Sequence, residues 1–206
     1  MPIIAIVGNK GGAGKTTLSV NLAAGISNQS SIAVIDADPQ GSSLQWRAIA
    51  GDNVNFPVYA ATFSLKQQAE SYSSKNDFVL IDCPPSVKSP QSISVLEFAD
   101  VAIIPVQPSP MDLWATVHIE RAISEARETN PELRALLVIN QLESRTTLSK
   151  LVREVLNEIA LPVADTAIRR RAIYRNSALE GKSVYGVGKR GADAVEELNS
   201  LIQEVV

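Results

Sequence analysis

The 206 residues carry 22 acidic and 19 basic side chains and are 45% hydrophobic, which is enough for one full core and too little for two large domains with a linker. Net charge is mildly negative, so nucleic-acid binding has to come from a local basic patch. The one cysteine, Cys83, excludes an internal disulfide, argues against a self-contained metal cluster and reads as a small buried residue. No apolar run approaches the ~20 residues that cross a bilayer, and Met1–Gly8 lacks the basic flank and cleavage site of a leader. The expectation is one soluble, cytoplasmic globular domain over residues 1–206.

The first β-branched run, Ile3–Val7, predicts a buried strand. It leads into Gly8-Asn9-Lys10-Gly11-Gly12-Ala13-Gly14-Lys15-Thr16-Thr17, and then into helical periodicity over Thr16–Ser27. Glycines at Gly11, Gly12 and Gly14 let successive N–H groups, with those of Ala13 and Thr17, wrap around phosphate oxygens. The helix adds its positive end, Lys15 reaches the β- and γ-phosphates, and Thr16 offers an oxygen to Mg²⁺. Strict P-loop spacing is not met, because Asn9 stands at the first glycine position. Lys10 is a second lysine that cradling a phosphate does not require.

The run Ile32–Ile35 predicts a second strand, ending in Asp36-Ala37-Asp38-Pro39. Alternation along an extended chain places Asp36 and Asp38 on one side, where two carboxylates can hold Mg²⁺ through water and orient an attacking water. A capping role for Asp38 ahead of a helix near Ser42 is the competing reading. Gly51–Pro57 reads as a loop. Phe78–Ile81 is a third strand closed by Asp82 and followed by Cys83-Pro84-Pro85, so Asp82 is a further candidate for the Mg²⁺ shell.

Val101–Ile104 and Leu136–Ile139 predict two more strands, with helices over Met111–Thr129 and Thr146–Ile159. Asn140, at a strand end, is a candidate for the adenine edge, and Asp112 for contact with a second subunit; loop and cap roles compete for both. Trp46, Trp114 and His118 read as packing or surface residues. Between Ala167 and Gly191 seven cations, Arg169, Arg170, Arg171, Arg175, Lys182, Lys189 and Arg190, face one acid, Glu180. With little aromatic material among them, they read as a patch for double-stranded DNA of any sequence. The alternation as a whole predicts an α/β fold, a doubly wound, mostly parallel sheet with helices on both faces and its ligand beyond the carboxyl ends of the strands.

Lys10-Gly11-Gly12-Ala13-Gly14-Lys15-Thr16-Thr17, the Asp36–Asp38 and Asp82-Cys83-Pro84-Pro85 segments, and Ile168–Tyr174 with Leu179–Val184 resemble the deviant Walker A P-loop ATPases of the ParA/MinD family. The resemblance runs from Ile3 to about Tyr185. It is nearest to small, ParF-like ParA proteins without an N-terminal DNA-reading domain. It implies that ATP and Mg²⁺ close a sandwich homodimer in which Lys10 crosses to the second subunit's nucleotide. It further implies that Asp38 activates water in switch I, that Asp82 holds the Mg²⁺ shell, and that Cys83-Pro84-Pro85 is switch II. The implied dimer binds nonspecific DNA on the nucleoid, and a ParB-like centromere-binding partner stimulates its slow hydrolysis of ATP to ADP and phosphate. Two other readings remain. A MinD-like membrane regulator is disfavoured by the acidic character of the amphipathic tail Val195–Val206. An ATP-dependent metabolic ligase has no evident use for Lys10 or the basic patch.

Overall fold

Apolar runs that are hydrophobic on both faces need cover on both sides, and the strands they form receive it. In the computed structural model the described residues are all but 144–151, 153 and 157, with the side chains of residues 112 and 113 also outside the description. The strands are β1 (Ile3–Ile6), β2 (Ile32–Asp36), β3 (Val58–Ala60), β4 (Phe78–Asp82), β5 (Val101–Val106), β6 (Arg134–Leu142) and β7 (Ile168–Arg169). They form a seven-stranded sheet in the order β3-β2-β4-β1-β5-β6-β7. Every pairing is parallel. β3 and β7 were not predicted: with three and two residues they are too short to show a period of two.

The helices among the described residues include α1 (Lys15–Ile26), α2 (Ser42–Ala50), α3 (Leu65–Ser73), α4 (Pro90–Leu96), α5 (Pro110–Arg127), α6 (Ala172–Leu179) and α7 (Ala192–Val205). The helix predicted over Thr146–Ile159 lies for the most part outside the described residues. Alternate strand residues feed two cores. Ile3, Ala5, Ile35, Ile81 and Ile104 pack with Leu65, Leu96, Ile119 and Ile123 of α3, α4 and α5. Ile4, Ile6, Val34, Leu80 and Ile103 pack with Leu18, Leu22, Trp46, Leu198 and Leu201 of α1, α2 and α7. This is the doubly wound arrangement expected.

Trp46 is buried and stacks on Phe56 with ring centroids 6.1 Å apart, whereas Trp114 and His118 are exposed on α5. On α7 the stripe Ala194, Leu198, Leu201 and Val205 is buried, so the apolar face that a membrane-inserting helix needs is already covered. No helix among the described residues is long and apolar enough to cross a membrane.

β1 lies at the centre of the sheet, and the chain turns left of it to β4 and β2 and right of it to β5 and β6. The crevice at such a reversal, beyond the carboxyl ends of the strands, is where this architecture binds ligands. The glycine-rich loop leaves β1 at that point.

Candidate functional site

α1 begins without a side-chain cap: its N-cap, Gly14, sits in the left-handed region at φ 88. The first turn of a helix carries N–H groups with no intrahelical partner, so this end is left to an anion. Gly12 is also left-handed, at φ 81, and a Cβ on Gly11 or Gly12 would meet nothing within 4 Å. At Gly11 and Gly12 the loop is thus a backbone concavity with open space beside it. Lys15 is buried at its base and donates from Nζ to Lys10 O at 3.2 Å. Burial pushes the Lys15 ammonium below its usual range, and Asp82 and Asp38 partly offset this. A buried cation beside open N–H groups is a donor set that fits polyphosphate. Lys10, in the same loop, is exposed.

Asp82 ends β4 fully buried, accepting from Ser19 Oγ at 3.1 Å and Ser43 Oγ at 2.6 Å. Burial pushes its carboxyl up to about 6, against the pull of hydroxyls from Ser43, Thr16 and Ser19. Thr16 and Asp82 therefore set two hard oxygen ligands side by side next to the phosphate concavity. That set fits Mg²⁺, which takes one or two protein oxygens together with phosphates and water; among the described residues no cluster of three or more acids, histidines or cysteines exists to bind a metal alone. Cys83 is buried, and burial pushes its thiol far above the usual range, so it is inert packing, as expected.

The two acids of the second motif separate. Asp36 is buried and accepts from Asp38 N at 3.1 Å and Leu44 N at 2.9 Å. Burial raises its pKa, opposed by these backbone donors and that of Ser43. Asp36 thus ties the strand end to the first turn of α2, the kind of contact foreseen for Asp38. Asp38 lies beyond the strand, partly exposed, closing a short turn through Gln40 N at 3.0 Å, and it acts electrostatically on Lys15.

A cavity of about 480 Å³ opens beside Gly14 and Thr17, walled by Asn140 and Gln141 of β6 and by Ile168–Ala172, Tyr174 and Arg175. Asn140 is buried on the near wall, with Nδ2 donating to Ala13 O at 2.7 Å. Four of the seven cations assigned to a DNA patch, Arg169, Arg170, Arg171 and Arg175, therefore line this cavity. Arg170 pairs with Glu143. Arg171 is held by Asp193 at 2.8 Å and by Glu197 at 2.6 Å, with its side chain 26% exposed. Glu197 also accepts from Arg169 N at 3.1 Å. Arg171 is thus a cross-brace from the segment after β7 to α7. Truncating Glu197 to alanine leaves the half-buried Arg171 guanidinium with Asp193 alone and the Arg169 N–H without its acceptor. It should lower stability by about 2 kcal/mol, read from the urea midpoint. Lys182 and Arg190 share Glu180 at 3.2 and 3.7 Å in exposed pairs, which are weak and readily exchanged for other anions. Arg175 and Lys189 are exposed.

The family model of the CobQ/CobB/MinD/ParA nucleotide binding domain matches residues 4–184. The chain is 37% identical over 206 residues to the maintenance of carboxysome distribution protein A of Halothiobacillus neapolitanus, covering 98% of this chain and 95% of that one. It is 27% identical to the chromosome-partitioning ATPase Soj of Thermus thermophilus, covering 98% and 96%. Among solved structures, cobyrinic acid a,c-diamide synthase from Mycobacterium smegmatis with bound ADP and magnesium superposes with a TM-score of 0.72 at 25% identity, over 86% of this chain and 92% of that one. With the loop, the buried lysine and the threonine–aspartate pair in place, the chain belongs to the CobQ/CobB/MinD/ParA nucleotide-binding family and is an ATPase of its ParA/MinD type, using ATP and Mg²⁺.

Proposed function

We propose that the chain is a nucleotide-switched positioning ATPase. ATP closes a homodimer across the phosphate loops, the dimer holds DNA without reading its sequence, and a separate partner protein releases it by stimulating hydrolysis. The observation that carries this reading is the pairing of a phosphate concavity built on buried Lys15 with a second lysine of the same loop, Lys10, that is exposed. In the proposed roles, N–H groups of residues 11–17 and the Lys15 ammonium bind the phosphates. Thr16 and Asp82 hold Mg²⁺, which neutralises phosphate charge when bound. The adenine lies in the cavity next to Asn140. Asp38, which stays accessible, orients the attacking water. Lys10 places positive charge on the nucleotide of the second subunit, where charge spreads during phosphoryl transfer.

Full-length similarity to a carboxysome distribution protein supports a protein assembly as the cargo. Similarity to a chromosome-partitioning ATPase favours, as a second reading, DNA segregation with a ParB-like centromere-binding partner. Both use the same DNA step. On the proposed DNA face Arg175, Lys182, Lys189 and Arg190 carry the contacts. A random duplex should be bound with a slowly hydrolysed ATP analogue and not with ADP, and Lys10→Ala should abolish that difference. Arg175→Ala and Lys189→Ala should each weaken binding to all sequences alike and reduce the salt slope by about 1. Equal DNA binding in both nucleotide states would sink the proposal.

A further inference from the structure

Three carboxamide side chains converge on two consecutive carbonyl groups of the phosphate loop. Gln107, the residue after β5, donates from Nε2 to Gly12 O at 2.6 Å, and Gln141, near the end of β6, donates from Nε2 to the same oxygen at 3.0 Å. Asn140 donates from Nδ2 to Ala13 O at 2.7 Å. A carbonyl oxygen only accepts, so in each case the amide nitrogen must face the loop.

The backbone of Gln141 carries a second, independent sign. At φ 57 it is the one non-glycine residue with positive φ among the described residues. A side chain in this region is strained, and such strain persists only where the surroundings over-determine it. Here the strained residue is the one that delivers its amide to the loop.

A trans peptide is planar, with its C=O and N–H pointing in opposite directions. Anchoring the Gly12 carbonyl toward the ends of β5 and β6 therefore turns the N–H of Ala13 the other way, and anchoring the Ala13 carbonyl does the same for the N–H of Gly14. Gly12 itself has no Cβ and sits left-handed with open space about it. Its own packing does not fix the peptide plane; the two glutamines do.

We propose that Gln107 and Gln141 are positioning residues for the nucleotide: they act jointly through the Gly12 carbonyl to preset the phosphate loop in its binding orientation. They touch no reacting atom. Because both bonds end on one oxygen, either glutamine alone retains most of the effect, and removing both releases the plane. The inference rests on the reading that this loop binds the phosphates.

The test measures affinity for ADP and for a slowly hydrolysed ATP analogue, together with the thermal midpoint of the ligand-free protein, in Gln107→Ala, Gln141→Gly and the double variant. Glycine at 141 accepts the left-handed backbone, so the amide is removed without adding backbone strain. Each single variant should weaken both nucleotides by about threefold and the double by about thirtyfold, with the ligand-free midpoint unchanged. Gln107→Glu, which sets an acceptor against an acceptor, should bind more weakly than Gln107→Ala. Wild-type affinity in the double variant overturns the proposal, as does an affinity loss matched by lost ligand-free stability. A wild-type protein that binds neither nucleotide would instead refute the reading of the loop.

Discussion

Replacing Asp82 with asparagine is expected to make the ligand-free protein more stable while removing Mg²⁺-dependent hydrolysis. The carboxyl is fully buried and its pKa is pushed up to about 6 from an ordinary 3.8, chiefly by burial. The folded state thus binds this proton more tightly than the unfolded chain does, and above about pH 6 the fold holds an ionised carboxylate at a cost of about 3 kcal/mol. Asparagine carries no charge to bury, and Ser19 and Ser43 can reorient their hydroxyls to meet its oxygen and amide. The advantage of the variant should be full above about pH 6, shrink as pH falls through that value, and vanish below 3.8, where the wild-type carboxyl is protonated in both states. Urea titrations of both proteins across that range measure it directly. A variant less stable than wild type at pH 8 would mean that the hydroxyl bonds to the ionised carboxylate outweigh its desolvation. Steady-state turnover should fall at least about a hundredfold, since removing a directed charge stabiliser of a phosphoryl transfer commonly costs that much.

Gly14→Ala should be the most damaging single methyl in the loop. Gly14 sits at φ 88, and a Cβ there would lie 2.5 Å from Asn140 Nδ2 and 3.4 Å from Gln141 Nε2. The left-handed backbone costs a residue with a Cβ about 1 kcal/mol, and overpacking against an amide already anchored to Ala13 O adds about 1–3 kcal/mol. Stability should therefore drop by about 2–4 kcal/mol, and nucleotide affinity should fall with it because the displaced amide holds the loop. Adding Asn140→Ala should recover the overpacking share and leave the backbone share, which separates the two causes. Gly11→Ala is the contrast: its Cβ meets nothing within 4 Å, so ligand-free stability should be unchanged. If Gly14→Ala proves as stable as wild type, the loop rearranges freely and presetting by the strand ends does not hold.

Much of the fold was legible because buried parallel strands write themselves as β-branched runs, and five of the seven were found that way. β3 and β7 escaped because two or three residues carry no period. The phosphate loop was legible because each residue type has a distinct task there. Other parts of the site were not, for identifiable reasons. Alternation placed Asp36 and Asp38 together, but β2 ends at Asp36, so the rule no longer governs Asp38. Counting charge over Ala167–Gly191 sets seven cations against one acid, and it cannot show the carboxylates that pair with Arg170 and Arg171, because these sit outside that window, at Glu143, Asp193 and Glu197. Gln107 and Gln141 passed unnoticed because a single glutamine at a strand end has no motif; the signal available was that carboxamides follow both strands on one side of the loop.

The brace between β7 and α7 bears on how copies of this chain can associate. Successive N–H groups of an edge strand point alternately inward and outward, and Arg170 N turns inward to Leu142 O at 3.0 Å. The outward donors do not face solvent bare: Arg169 N is taken by Glu197 at 3.1 Å, and just upstream Asp165 N and Thr166 N are taken by Glu204 at 2.8 Å each. An incoming strand would have to evict two carboxylates and then face their charge. The sheet is therefore sealed against growth by strand addition at this margin.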